Sequence, residues 1–153
     1  MHQDDTIDRA VTYAHAALSR ARLGNWDAAA DTVRRIHVDL GGRGGMAYAL
    51  VAWCDAYRDH SGGQDAVVTT SLRFVSALTG GVCDASDVAP QVAWAGRLIA
   101  ARCAHDAATF NALIKAVPSD PRLHRLRVFA VLRLVVAALG SPPRGPGYIL
   151  VEC

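Results

Sequence analysis

Val11-Thr12-Tyr13, Val51-Ala52-Trp53 and Val92-Ala93-Trp94 echo one another along the chain, their aromatic residues 40 and then 41 positions apart. Each echo lies in an alanine-rich segment with helical spacing, followed by a turn and a second segment of the same kind. Self-similarity with a period of roughly 20–50 residues is the mark of stacked supersecondary units. The spacing therefore predicts an all-α fold of about seven helices: three antiparallel helical hairpins side by side, closed by an apolar C-terminal helix.

Working outward from the echoes, Ile7, Val11, Ala14, Leu18 and Ala21 recur at alternating steps of four and three, one apolar stripe of a helix over residues 5–23. Gly24-Asn25 ends it, and Asn25 is a good cap for a second helix over 26–40, striped by Trp26, Ala29, Val33, Ile36 and Leu40. The glycine-rich run 41–45 reads as a connection. A third helix, 46–59, carries Met46, Leu50, Trp53 and Tyr57, and a fourth, 64–78, carries Val68, Leu72 and Val75 despite its β-branched Val67-Val68-Thr69-Thr70. Helices five and six are predicted over 88–103 and 106–116. Asp120-Pro121 offers a capping acid with proline in the first turn of helix seven, which runs to Leu139. Its second half is apolar nearly all round, so it needs cover from the hairpins or from a second copy of the chain. One helical domain is thus expected over 1–140. The Pro/Gly-rich tail 141–153 ends in an extended Tyr148-Ile149-Leu150-Val151, for which a free end and a strip docked on the body both stay open.

At 153 residues, with 52% hydrophobic and 20% charged residues, the chain has ample core and is not disordered. A net charge of +2 is too slight for the basic stripe expected of a nucleic-acid binder. The longest apolar run, 128–139, contains Arg133 and falls short of the roughly 20 residues that span a bilayer. No membrane association is expected. Four scattered cysteines (Cys54, Cys83, Cys103, Cys153) without a C-x-x-C pair read as reduced and structural, and the polar, acidic start is unlike a secretory leader. The expected location is cytoplasmic.

The turn Gly24-Asn25-Trp26-Asp27-Ala28-Ala29 resembles the G-D-Y-D-E-A signature of tetratricopeptide (TPR) repeats, and Ala116-Val117-Pro118-Ser119-Asp120-Pro121 is similar to the A-L-x-x-D-P ending of the same repeat. The likeness covers roughly residues 6–121. It departs in its period of 40–41 where the family has 34, and in Ala104 where the family has glycine. The resemblance implies a short right-handed TPR-like solenoid whose concave face binds a protein or peptide.

Candidate chemistry is sparse. His2, His15, His37, His60, His105 and His124 form no i, i+4 pair that would aim two imidazoles at one metal. Cys54 beside Asp55 has no base in register with it. Gly41–Gly45 lacks the strand before and the Lys-Ser/Thr after it that a phosphate loop requires. No catalytic residue, metal or cofactor is expected. The partner-binding candidates are Tyr13, Trp53 and Trp94, which read either as core or as groove anchors, together with Arg97 and the basic start of helix seven, Arg122, Arg125 and Arg127. Arg102 is a further candidate for the line between hairpins, and Arg133 is expected to reach solvent or an acid. The expected function is a non-enzymatic adaptor for a protein or peptide. The alternative is a regulatory protein that contacts nucleic acid through the three arginines, and helix seven adds a possible self-association surface.

Overall fold

A computed structural model describes residues 3–41, 43–62, 73–142 and 148–151. They form six α-helices, α1 (Gln3–Arg22), α2 (Trp26–Asp39), α3 (Arg43–Ser61), α4 (Pro90–Cys103), α5 (Ala107–Lys115) and α6 (Pro121–Leu139). Three short strands, β1 (Arg73–Ser76), β2 (Val82–Cys83) and β3 (Tyr148–Val151), and a 3-10 turn at Ala85–Asp87 complete them. The protein is mostly helical, and the expected seven helices become six plus a small sheet. The chain divides into two compact units, Met1–Trp53 and Cys54–Cys153.

The first unit is a helical hairpin joined by the start of α3. Asn25 accepts the Ala28 N–H at 3.2 Å, and Gly24 turns the chain at φ +81°. The pairs Tyr13–Asp39 and Arg20–Thr32 converge on this turn, the register of an antiparallel hairpin. Ala10, Ala14, Ala17 and Ala21 are buried on α1, four small side chains that let α2 approach with Ala29, Val33 and Ile36. Trp53 on α3 is wholly buried, and its indole N–H donates to the Ala14 carbonyl at 2.9 Å.

The second unit corrects the sequence reading in its middle. Residues 73–76, expected to end a fourth helix, are a strand, while 63–72 lie outside the described residues. The strand order is β2-β1-β3, with β1 antiparallel to β2 and parallel to β3 from Arg73↔Tyr148 to Ser76↔Val151. The Ser76 hydroxyl accepts the N–H groups of Leu78 and Thr79, both at 3.2 Å, and Gly80 takes φ +74°, so the chain reverses at once into β2. The segment Tyr148–Val151, placed in the tail by composition, is therefore a strand of the body. The middle hairpin of the expected three-hairpin stack is not a pair of helices over its described part.

Helix α4 makes a second hairpin with α5. Its Trp94 indole N–H donates to the Leu113 carbonyl at 3.0 Å, His105 turns the chain at φ 56°, and Asp106 caps α5 by accepting the Thr109 N–H. α6 packs on α4 and on β3. Val128, Val131, Leu132 and Val135 are almost fully buried, so the apolar half of α6 gains cover within its own unit.

Gly96 sets how closely the sheet approaches α4. A Cβ there would lie 2.7 and 2.9 Å from ring carbons of Phe74 on β1 and 3.7 Å from Ile149 on β3. Phe74 and Ile149 are both buried, so the ring has little room to withdraw. In an isolated helix valine would exceed glycine in propensity by some tenths of a kcal/mol. Here overpacking dominates: Gly96→Val is expected to destabilise by about 2–3 kcal/mol in chemical denaturation, whereas a gain in stability would show that α4 and the sheet do not meet at this glycine.

Candidate functional site

One face of α6 lines a concave surface. Arg122, Leu126, Phe129, Arg133 and Ala137 follow one another at steps of three or four, which brings them onto a common stripe. The start of α4 supplies Ala89, Gln91 and Val92 along one side, and Leu150 and Val151 of β3 supply the other. Together they enclose a groove of about 700 Å³, within the size range of ligand sites. It is lined mainly by apolar groups. Its charged side chains are Arg122, Arg125 and Arg133, and no acid lines it among the described residues. All three arginines are exposed, as is Leu126 at 50%. Arg133 thus reaches solvent, one of the two outcomes expected for it.

The electrostatics of the groove's head follow from the chain direction. Arg122 and Arg125 stand in the opening turns of α6, where the helix dipole is already positive. Asp120 is the acid of that turn, and its carboxylate accepts the Arg122 backbone N–H at 2.8 Å as the helix cap. Arg127 belongs elsewhere, its guanidinium 5.5 Å from the centroid of Trp94. The basic cluster read as one patch therefore divides, two cations at the groove and one stacked on the core.

The remaining sequence candidates lie outside the groove. Trp53 is core. Trp94 is 6% exposed and spends its N–H on Leu113, so it too is a packing residue. Half-buried Tyr13 donates its hydroxyl to Asp39 at 3.2 Å, with Arg9 over its ring. Arg97 is exposed on α4 and does not line the groove. Arg102 is held by Asp55, its Nε–H donating at 2.7 Å and a second N–H at 3.2 Å. Arg58 approaches the same carboxylate at 3.4 Å, and its buried Nε, which makes no hydrogen bond, lies 3.9 Å from the Asp59 carboxylate. This knot is made of residues 55, 58 and 102 and is structural by its surroundings.

Sequence reasoning missed Leu126, Phe129, Gln91, Leu150 and Val151 as groove residues. The apolar side chains interleaved with arginine at the start of α6 were the available signal. Of the histidines, His60 pairs its Nε2 with the Ser141 carbonyl at 2.8 Å, His15, His37 and His105 are exposed, and His2 lies outside the described residues. No cluster of three potential metal ligands occurs among the described residues. No described helix is long and apolar enough to cross a membrane.

Cysteine chemistry divides as well. Cys83 on β2 is disulfide-bonded, which corrects the expectation that all four cysteines are reduced. Cys54 and Cys103 are free and buried. Burial pushes both thiols up, Cys103 to about 11 against the opposing charge of Arg58, and Cys54 further, reinforced by Cys103 and Asp55. The thiolate is the nucleophile, so a raised pKa leaves almost none of it near neutral pH. A thiol-specific reagent at pH 8 should label neither cysteine in the native protein and both after denaturation. Rapid native labelling of either would contradict this burial.

No protein-family model, curated protein or solved structure matches this chain.

Proposed function

We propose that this chain is a non-enzymatic interaction module that takes a protein or peptide partner along the groove of α6. The observation that carries this reading is the groove itself: a mainly apolar floor at helical spacing, open to solvent, with Arg122 and Arg125 at its head, Arg133 further along and no acid among its described lining residues. Grooves of this kind accept amphipathic segments by burying alternate apolar anchors. The open side argues against a small molecule, since small-ligand sites bury most of the ligand's surface. The hairpins α1–α2 and α4–α5 are what support a TPR-like reading, while β1 and β2 occupy the described part of the segment expected to complete a third pair.

The nucleic-acid alternative draws on Arg122 and Arg125, but the engagement of Arg127 with Trp94 leaves it a narrow footing. The self-association surface expected on α6 is likewise narrowed to the groove, because the apolar half of the helix packs on α4 and β3. The expected cytoplasmic placement is not carried into the proposal, because the disulfide at Cys83 weighs toward an oxidising compartment.

The experiment is selection of peptides from a displayed random library on the immobilised chain, followed by Leu126→Asp. This side chain is half exposed, so the variant should keep its helical circular dichroism. Capture of the selected peptides should fall by roughly tenfold or more, the loss expected on removing a central apolar anchor. Trp53→Ala should instead cost about 3–5 kcal/mol of stability, as a core truncation does. Unchanged capture by folded Leu126→Asp would place binding elsewhere. Retention of oligonucleotides that falls steeply with salt would favour the nucleic-acid reading.

A further inference from the structure

We infer that the partner segment is an acidic amphipathic helix, laid along α6 with its carboxylates over Arg122 and Arg125. This rests on the reading of the groove as the binding site and adds the chemistry of its occupant. From Arg122 to Ala137 the floor runs for about 22 Å, at the helical rise of 1.5 Å per residue. That is the length of about four turns of a docked helix. Along it, Phe129 and Leu134 are apolar, and Leu150 and Val151 continue the same character on the facing strand. Such a floor recognises apolar residues repeating every third or fourth position and leaves the other face of the partner in water.

Charge fixes the rest. Arg122 and Arg125 add two cations to the positive end of the α6 dipole, and the neighbouring Asp120 is committed to its cap. Like charge at one end of an open groove raises the local potential and draws an opposite charge there. Arginine pairs with carboxylate through two parallel N–H donors, which orients the incoming acid as well as attracting it. A basic or neutral amphipathic helix meets the same apolar floor but carries its charges into repulsion, so the head of the groove selects by sign.

The test uses the full chain and two fluorescent synthetic peptides of about sixteen residues, chosen to match the length of the floor. Both carry leucine at every third or fourth position. One bears three glutamates at an end and the other three lysines in their place. Fluorescence anisotropy should show the glutamate peptide binding roughly tenfold more tightly than the lysine peptide, and Arg122→Glu/Arg125→Glu should reverse that order. The variant Arg97→Glu/Lys115→Glu changes net charge equally at exposed positions outside the groove and should preserve the order. Equal affinity for the two peptides, equal loss in both double variants, or retention of oleate or oligothymidylate with no peptide binding would each overturn the inference. If Leu126→Asp abolishes peptide capture while charge reversal leaves it intact, the groove stands and only the acidic partner falls. If neither change has an effect, the groove reading falls with it.

Discussion

The parallel pairing of β1 with β3, seated on Gly96, is the constraint on which the second unit depends. The two strands are separated by more than seventy residues, and everything between them must return Tyr148–Val151 to the side of Arg73–Ser76. Ile149 and Val151 are buried on that return, and the Tyr57 hydroxyl fastens the strand by donating to the Tyr148 carbonyl. A Cβ at position 96 would hold Phe74 away from α4. The sheet would then lift, and Leu150 with Val151 would no longer face α6. The groove exists because a strand, not a third helical hairpin, stands opposite that helix.

The arginines show how one residue type is divided among tasks by its surroundings. Asp55 takes Arg102 in a two-donor pair and Arg58 beside it, a partly buried knot in which removing the shared acid would strip Arg102 of its acid and leave Arg58 only the longer contact to Asp59. Arg127 lies over an indole, where the attraction is to the ring face. Arg122 and Arg125 stand exposed at the positive end of α6. The charge of the chain is only +2, so the selectivity proposed for the groove rests on where cations are concentrated and not on their number.

Much of the helical framework was legible in the sequence because its signals are local. Asn25, Asp106 and Asp120 each stand where a capping oxygen meets orphan N–H groups, and Gly24 and Pro121 sit at the positions their backbone preferences suit. The stripe of α1 was readable in part: Ala14, Leu18 and Ala21 are buried as expected, but Ala10 and Ala17 are buried where Ile7 and Val11 are only half covered. The strands were not. Val68, Leu72 and Val75 satisfy helical spacing, yet Phe74 and Val75 are adjacent and both buried, a pattern a strand covered on both faces produces equally well. What decides between them is the partner strand, far off in sequence and masked by a Pro/Gly-rich stretch. The three aromatic echoes misled only in the middle: Tyr13 and Trp94 lie on the first helices of hairpins α1–α2 and α4–α5, whereas the described part of the segment after the helix of Trp53 is strand, although Trp53 and Trp94 each bury a ring and donate to a carbonyl of a neighbouring helix.

That same long-range dependence explains why the groove was invisible while some of its residues were not. Arg122 and Arg125 stood out because cations at the start of a helix oppose its dipole, a local conflict that sequence alone can register. Leu126 and Phe129 carry no such conflict; beside the buried Val128 and Val131 they read as more core. Only when β3 and the start of α4 take their places does Leu126 remain half exposed while the residues two and five positions on are covered. An apolar residue left at the open edge of an otherwise closed helix, next to cations with no acid among the described lining residues, is the arrangement in which an outside segment can supply both contacts at once.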